Sequence, residues 1–302
     1  VRVVQLVYVG CKKWMPGWHF SWKEIRGYMS FGLYQMGEKT INYFNSNLDY
    51  LLIGSLLGAT SLGYYTLAYN LIIRPSLMIN PVITRVAFPV FSKVQNDLTK
   101  LKKGYLKILE LLSIINFPLM IGLAVVAPVA VPVIFGDQWI PSIILIQILT
   151  IVGLFRSIGN PVGSLLLAKG RADLAFKWNL ALIVTQVPGL YIGASLWGTL
   201  GVAIFYATLS CIYSIFNYII LIRKLLGSCF KEYMYSMWPS FWLSSVMGII
   251  IILFSSLIQG YSQGVIFTVQ VIIGIVVFGC LFIIFYKKLF NDLKSRFSYN
   301  AR

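Results

Sequence analysis

Carboxylates, imidazole and thiols are scarce in this chain: nine Asp and Glu, one His and four Cys in 302 residues, against twenty-five Lys and Arg. That leaves little from which to build a proton-transfer or metal-assisted enzyme. Cys11, Cys211, Cys229 and Cys280 form no CxxC pair and have no neighbouring His, so neither zinc nor a redox pair is expected. No cofactor is implied. Charge is sparse as well, at 11% of residues against 58% hydrophobic, and a mean hydropathy of +0.80 lies outside the range of soluble domains. The first seventeen residues lack a basic segment leading into an apolar core and a small-residue cleavage site, so no signal peptide is expected. The chain starts at Val1, which suits a piece of a longer protein.

What is abundant is apolar sequence in long runs. A membrane helix needs about 20 mostly apolar residues, and eight stretches qualify: 27–57, 60–90, 108–134, 141–167, 174–194, 199–222, 237–259 and 264–286. The connections after odd-numbered spans, at Gly58–Ala59, Phe135–Ile140, Gly193–Thr199 and Gln259–Gly264, hold no Lys or Arg. The other side carries 22 of the 25 basic residues, from Arg2, Lys12, Lys13, Lys23 and Arg26 to Lys287, Lys288, Lys294, Arg296 and Arg302. This asymmetry puts both termini of the chain in the cytoplasm of a multi-pass membrane protein. It also accounts for the net charge of +16. No solvated segment interleaves aromatics with arginines, so nucleic acid is not an expected partner. The expected architecture is an all-α polytopic membrane bundle of eight helices. It divides into a cytoplasmic N-terminal segment 1–26, a six-helix bundle 27–222, two additional helices 223–286 and a basic cytoplasmic tail 287–302.

Three cations fall inside the spans: Lys39, Arg74 and Arg156. Facing lipid, each would cost about 2.5–3.5 kcal/mol, so each is expected to face a bundle interior or a watery cavity. Counted at 1.5 Å per residue they lie roughly 18–22 Å from the starts of their spans and could share one layer. In the first span Gln35, Glu38, Asn42, Asn45 and Asp49 recur at steps of three and four, within a sector of about 80°. Thr66, Asn70 and Arg74 repeat at i, i+4, i+8 in the second span, and Arg156, Asn160 and Ser164 do so in the fourth. Such stripes either line a hydrated path or join helices to one another. Pairing of Lys39 or Arg74 with Glu38 or Asp49 is the packing alternative. Glu110 sits at a span edge and Asp49 is placed near the outer surface, which leaves at least one central cation for an anionic ligand. Pro75, Pro81, Pro128, Pro132, Pro161 and Pro188 interrupt the same helices, as in proteins that alternate between two openings.

The stretch NYFNSNLDYLLIGSLLGATSLGYYTLAYNL at 42–71, with INPVITRVAFPVFSKVQND at 79–97 and GNPVGSLLLAKGRADLAFKWN at 159–179, resembles bacterial polysaccharide flippases. It is similar to the Wzx-like branch, which includes colanic acid and teichuronic acid exporters, of the multidrug/oligosaccharidyl-lipid/polysaccharide superfamily. That resemblance implies two six-helix bundles around a central cavity, with the present chain supplying the second bundle and an extra helix pair. It implies translocation of a lipid-pyrophosphate-linked oligosaccharide, in contact with membrane lipids and other polysaccharide-assembly proteins. Arg74 and Arg156, helped by Lys39, would hold the pyrophosphate. Asn42, Asn45, Asn70 and Asn160 would bond sugar hydroxyls, and Glu38 or Asp49 would couple an ion. A multidrug antiporter is the alternative transporter, although cationic drugs favour an acidic, aromatic cavity. A membrane-embedded glycan-processing enzyme is the alternative from another class. It would need a reactive loop, and His19 sits outside the spans.

Overall fold

The structure, a computed structural model, describes residues 21–258 and 260–287, apart from the side chains at 23, 24, 27 and 80–84. The predicted cytoplasmic residues Arg2, Lys12, Lys13, Lys288, Lys294, Arg296 and Arg302 lie outside the described residues, as do Cys11, His19 and Gln259 and the side chains of Lys23 and Pro81.

Every regular element among the described residues is helical. The long helices are α1 (Trp22–Asn45), α2 (Leu48–Lys93), α3 (Leu98–Phe135), α4 (Ser142–Ala168) and α5 (Ala172–Asn217). A π-helical turn at Tyr218–Ile222 leads into the short α6 (Arg223–Leu226), followed by α7 (Phe230–Leu257) and α8 (Gln263–Phe285). The polytopic helical bundle expected from hydropathy is what forms. The expected count of eight is corrected to six stretches, among the described residues, long and apolar enough to cross a membrane.

Two glycines explain the difference. The predicted loop at Gly58–Ala59 is a kink inside helical chain, with Gly58 at φ 81°, ψ 178°. It lies within one 52-residue stretch, Tyr28–Ile79. The predicted fifth and sixth spans likewise merge into Ala172–Leu226, 55 residues long, across Trp197 and Gly198, the latter at φ 59°, ψ −139°. Residues with a Cβ rarely adopt such angles, so glycine is what allows the chain to turn there. It doubles back at both places. A Cβ on Gly54 would sit 3.3 Å from Leu62, and one on Gly201 would sit 2.0 Å from the Gly193 carbonyl oxygen. A further break, at Ser46–Asn47, separates α1 from α2 and was not foreseen.

Packing follows from these reversals. One core gathers Tyr65, Tyr69 and Ile72 of α2, Met120 of α3, Leu145 and Leu149 of α4, and Leu190, Val202 and Tyr206 from both limbs of α5. A second gathers Phe91, Leu101, Tyr105, Leu165, Leu221, Ile222 and Tyr233 at the end predicted to be cytoplasmic. Gly153 lets α4 close on its neighbours, since a Cβ there would meet Met120 Sδ at 2.5 Å and Ile72 at 2.7 Å. Helices in lipid gain little from apolar burial against one another, so close van der Waals approach of this kind is what holds them. α8 has one buried residue, Gln270, whose Nε2 donates to Ser255 Oγ of α7 at 2.7 Å. The ion pairs among the described residues, Lys100–Asp97, Lys102–Glu232, Lys107–Glu110 and Arg171–Asp173, all lie at the predicted cytoplasmic end. There Lys169 Nζ also donates to the Gln95 carbonyl, joining the α2–α3 and α4–α5 connections.

Candidate functional site

A cavity of about 360 Å³ opens between α1, α4 and both limbs of α5. α1 contributes Glu38, Asn42, Asn45 and Ser46, and α4 contributes Phe155, Arg156, Gly159 and Asn160. From the first limb of α5 come Trp178, Asn179 and Gln186. The second limb adds Tyr206, Ser210, Tyr213, Ser214 and Asn217, which recur at steps of three and four and so share one face.

The walls are knit by directed hydrogen bonds. Asn179 Nδ2 donates to Glu38 Oε1 at 3.0 Å, and Asn45 Nδ2 donates to the Asn179 carbonyl at 2.9 Å. Gln186 Nε2 reaches the Asn45 carbonyl at 3.4 Å. Asn45 Oδ1 is buried with no hydrogen-bond partner among the described residues. Arg156 donates through Nη1 to the Tyr69 hydroxyl at 2.6 Å and through Nη2 to Ser46 Oγ at 3.3 Å. Behind it Asp49 is fully buried, accepting from the Tyr65 hydroxyl at 2.7 Å and from the Tyr50 N–H at 3.0 Å. Tyr69 stacks between Tyr65 (5.9 Å, 14°) and Tyr206 (6.3 Å, 16°), and Tyr50 stands edge-on to Tyr65 and Tyr69. Among the described residues no ion pair within 4 Å includes Arg156 or Asp49.

The sequence-predicted residues therefore divide. Arg156, Asn160, Glu38, Asn42 and Asn45 line the cavity. Asp49 lies beneath the tyrosines, fully buried and off the cavity wall. Asn70 is half-buried and off the wall. Lys39 and Arg74 are exposed and line no part of this cavity, so the three cations do not form one cavity layer. Helical geometry explains both exclusions. Lys39 is about 100° around α1 from Glu38, and Arg74 is about 180° around α2 from the buried Tyr65. Sequence reasoning missed the second limb of α5 and the tyrosine cluster. The spacing of Tyr206, Ser210, Tyr213 and Asn217 was the available signal.

Residues 2–144 match a family described as "Polysaccharide biosynthesis protein". Over 244 residues the chain is 41% identical to the lipopolysaccharide biosynthesis protein WzxC of Escherichia coli (strain K12), covering 81% of this chain and 50% of that one. The chain resembles the Wzx-like proteins of polysaccharide biosynthesis. The teichuronic acid biosynthesis protein TuaB of Bacillus subtilis (strain 168) is 36% identical over 242 residues, covering 79% of this chain and 49% of its own. The chain spans about half the length of these curated relatives. Among solved structures it shares its fold with the lipid II flippase MurJ in an inward closed conformation. The TM-score is 0.70 at 16% identity, over 91% of this chain and 57% of that chain. The chain is thus a multi-pass membrane protein of helical-bundle architecture, related to proteins of polysaccharide biosynthesis.

Proposed function

We propose that this chain is one lobe of a bacterial inner-membrane flippase that moves a lipid-pyrophosphate-linked oligosaccharide by alternating access, together with a second bundle from the rest of the protein. It is a transporter in this reading, not an enzyme. The observation that carries the reading is a cavity between long apolar helices, lined among the described residues by amides, hydroxyls and aromatic rings around the Arg156 guanidinium. A straight helix of 52 or 55 residues would run about 80 Å, far beyond a bilayer core of about 30 Å. The stretches that reverse at Gly58 and Gly198 accordingly cross twice each, which makes eight crossings with both termini cytoplasmic. Residues 27–222 then form a six-crossing bundle and 223–286 an added pair.

In this reading Arg156 takes the pyrophosphate. A guanidinium has five N–H donors, and Tyr69 and Ser46 engage two of them. Asn42, Asn45 and Asn160, with Ser210, Ser214 and Asn217, bond sugar hydroxyls, while Trp178 and Tyr213 offer ring faces. Lys39, Asn70 and Arg74 contribute where the second bundle closes over them. Glu38, on the cavity wall with one oxygen held by Asn179, is the better placed of the two ion-coupling candidates. Asp49 would act through Tyr65. Among the described residues the wall's carboxylate, Glu38, is offset by its guanidinium, Arg156, which gives a cationic drug little to bind. Membrane lipids and other polysaccharide-assembly proteins are the partners expected.

The test is a glycan export assay in cells whose own exporter is deleted, complemented with the full-length protein carrying Arg156→Ala or Arg156→Lys. Loss of charge-assisted bonds worth about 1.5–3 kcal/mol predicts at least a roughly tenfold fall in export for Ala and a smaller fall for Lys. Unchanged export at normal protein levels removes Arg156 from the mechanism.

A further inference from the structure

Behind the cavity three helices meet at one level. A Cβ on Gly153 of α4 would lie 2.5 Å from Met120 Sδ of α3 and 2.7 Å from Ile72 of α2. One turn from that contact, toward the end that gathers Phe91, Leu101 and Leu165, each helix presents a polar residue on the same face. Ser76 is four residues past Ile72 and Ser157 four past Gly153, while Asn116 is four before Met120 on the helix that runs the other way. All three are 1% exposed, and none lines the cavity. Helix register thus gathers two hydroxyls and an amide into one buried node, about 6 Å along the bundle from the Gly153 contact.

The hydrogen-bond count at this node does not close within the protein. Ser157 Oγ donates to the Leu154 carbonyl at 2.7 Å and Asn116 Nδ2 to the Leu112 carbonyl at 3.0 Å, so both bonds stay on their own helices. Ser76 Oγ and Asn116 Oδ1 have no hydrogen-bond partner among the described residues. Pro161, buried one turn past Ser157 on the same face, has no N–H to offer the Ser157 carbonyl. One hydroxyl donor and two acceptors are therefore left over, and leaving such groups unpaired in a core is costly. A water meets all three: it accepts from Ser76 Oγ–H and donates to Asn116 Oδ1 and to the Ser157 carbonyl, the three bonds typical of a buried water. A metal cation would serve the two acceptors and leave the Ser76 proton without one.

We propose that the node binds one water, and that this water is the adjustable pin of a hinge at which α4 bends behind the cavity. Prolines crowd the same level: Pro75 precedes Ser76, Pro118 follows Asn116 by two residues and Pro161 follows Ser157 by four. Helices bend at such breaks, and ordered water can take up the backbone groups that are freed. A fixed side chain would suit one pose of the Ser157 carbonyl, whereas a water re-forms its bonds in either. Arg156 precedes Ser157 and is turned about 100° from it, so bending at Pro161 shifts the guanidinium against the rest of the cavity wall. The hinge rests on the flippase reading above; the water does not.

Radiolytic footprinting of the full-length protein tests the water directly, since hydroxyl radicals formed at a bound water oxidise adjacent side chains that bulk solvent never reaches. Met120, 0% exposed and one turn from Asn116, should oxidise several-fold faster than Met247, 3% exposed within an apolar cluster on α7. Ser76→Ala combined with Asn116→Leu should bring Met120 down to the Met247 rate. Equal rates in the unaltered protein overturn the proposal. Asn116→Leu alone strands the Ser76 hydroxyl and should lower the melting temperature by about 2–8 °C. Adding Ser76→Ala should recover much of that loss; losses that simply add overturn a shared water. Exchanging sodium for choline should leave the melt unchanged, and sodium stabilisation absent from the double variant would make the occupant a cation instead. In the export assay the double variant, at normal protein levels, should be slower than the unaltered protein. Equal export with the water lost defeats the hinge and leaves the flippase reading standing. An unaltered protein that exports nothing defeats that reading and the hinge, and the footprint still decides the water.

Discussion

The tightest backbone contact in the fold is where the two limbs of α5 meet, and it sets up a quantitative test. Gly193 and Gly201 are both buried, and a methyl group on Gly201 would fall 2.0 Å from the Gly193 carbonyl oxygen and 2.8 Å from its carbon. Ordinary Cβ contact begins at 3.4 Å, so Gly201→Ala forces the limbs apart by about 1.4 Å. Because the obstacle is backbone, no side chain can rotate aside. Overpacking typically costs about 1–3 kcal/mol and, with backbone as the obstacle, the upper part of that range, about 2–3 kcal/mol, applies; the helix-propensity gain of Ala over Gly, about 1 kcal/mol, offsets part of it. The expected net loss is about 1–2 kcal/mol. For a chain of this size that corresponds to a fall in melting temperature on the order of 2–8 °C. Gly201→Val adds volume without the propensity gain and should fall further. Gly279→Ala on α8, where nothing lies within 4 Å, should hold or gain slightly. Thermal unfolding of the purified protein in detergent reads all three. If Gly201→Ala melts with the unaltered protein while Gly279→Ala behaves as stated, the limbs do not meet at these glycines and the hairpin geometry is wrong.

Two further perturbations probe groups around the site. Tyr65→Phe removes the hydroxyl that Asp49 accepts from at 2.7 Å and leaves a fully buried oxygen unpaired, which should cost about 1–3 kcal/mol. In a double-mutant cycle with Asp49→Ala, read by the same melts, the losses should be less than additive; additive losses would mean that the two side chains do not interact. At the start of α3, Asp97 caps the helix by accepting from the Lys100 N–H at 3.0 Å. That amide, with the Lys100 ammonium, holds its carboxyl below the usual carboxylate range. A depressed value means the cap is in place above that range and is lost as pH falls through the lowered value. Hydrogen exchange at the Lys100 amide, corrected for its intrinsic rate, should therefore lose protection on acidification. Asp97→Asn should make the protection insensitive to pH, and a persistent acid dependence in that variant would point to another group.

Much of the architecture was legible because hydropathy and glycine placement are local signals. The long apolar runs gave the helices, and Gly58 and the Thr199 boundary marked the two reversals to within a residue or two. What hydropathy cannot separate is a loop of several residues from a reversal at a single glycine, so eight spans were predicted where six long stretches form among the described residues. On α1 the polar spacing of Glu38, Asn42 and Asn45 reported a shared face correctly, because one unbroken helix carries all three. The stripe does not carry on to Asp49, which lies off the cavity wall, since the helix breaks at Ser46–Asn47 and the phase of the stripe is lost there. Asp49 instead meets Tyr65, sixteen residues on, across the Gly58 reversal. Tyrosines also hide from a polarity scan, being apolar by bulk and polar by one atom. The second limb of α5 escaped notice for that reason.

Depth along a helix and direction around it are separate facts, and the three intramembrane cations show which one decides a role. Lys39, Arg74 and Arg156 have comparable depths by residue count, yet Arg156 alone of the three enters the described cavity. Its partners explain how it is retained there: Tyr69 comes from α2, Ser46 from the joint between α1 and α2, and the guanidinium from α4. One planar group thus ties the joint to the bundle while presenting its remaining donors to the cavity. A lysine, with a single ammonium nitrogen, could not bond two partners set by two different helices and still offer a paired face to a ligand. The choice of arginine at 156 is therefore intelligible from geometry, and it is why replacing it by lysine, rather than deleting it, is the sharper probe of whether the cavity binds an anion.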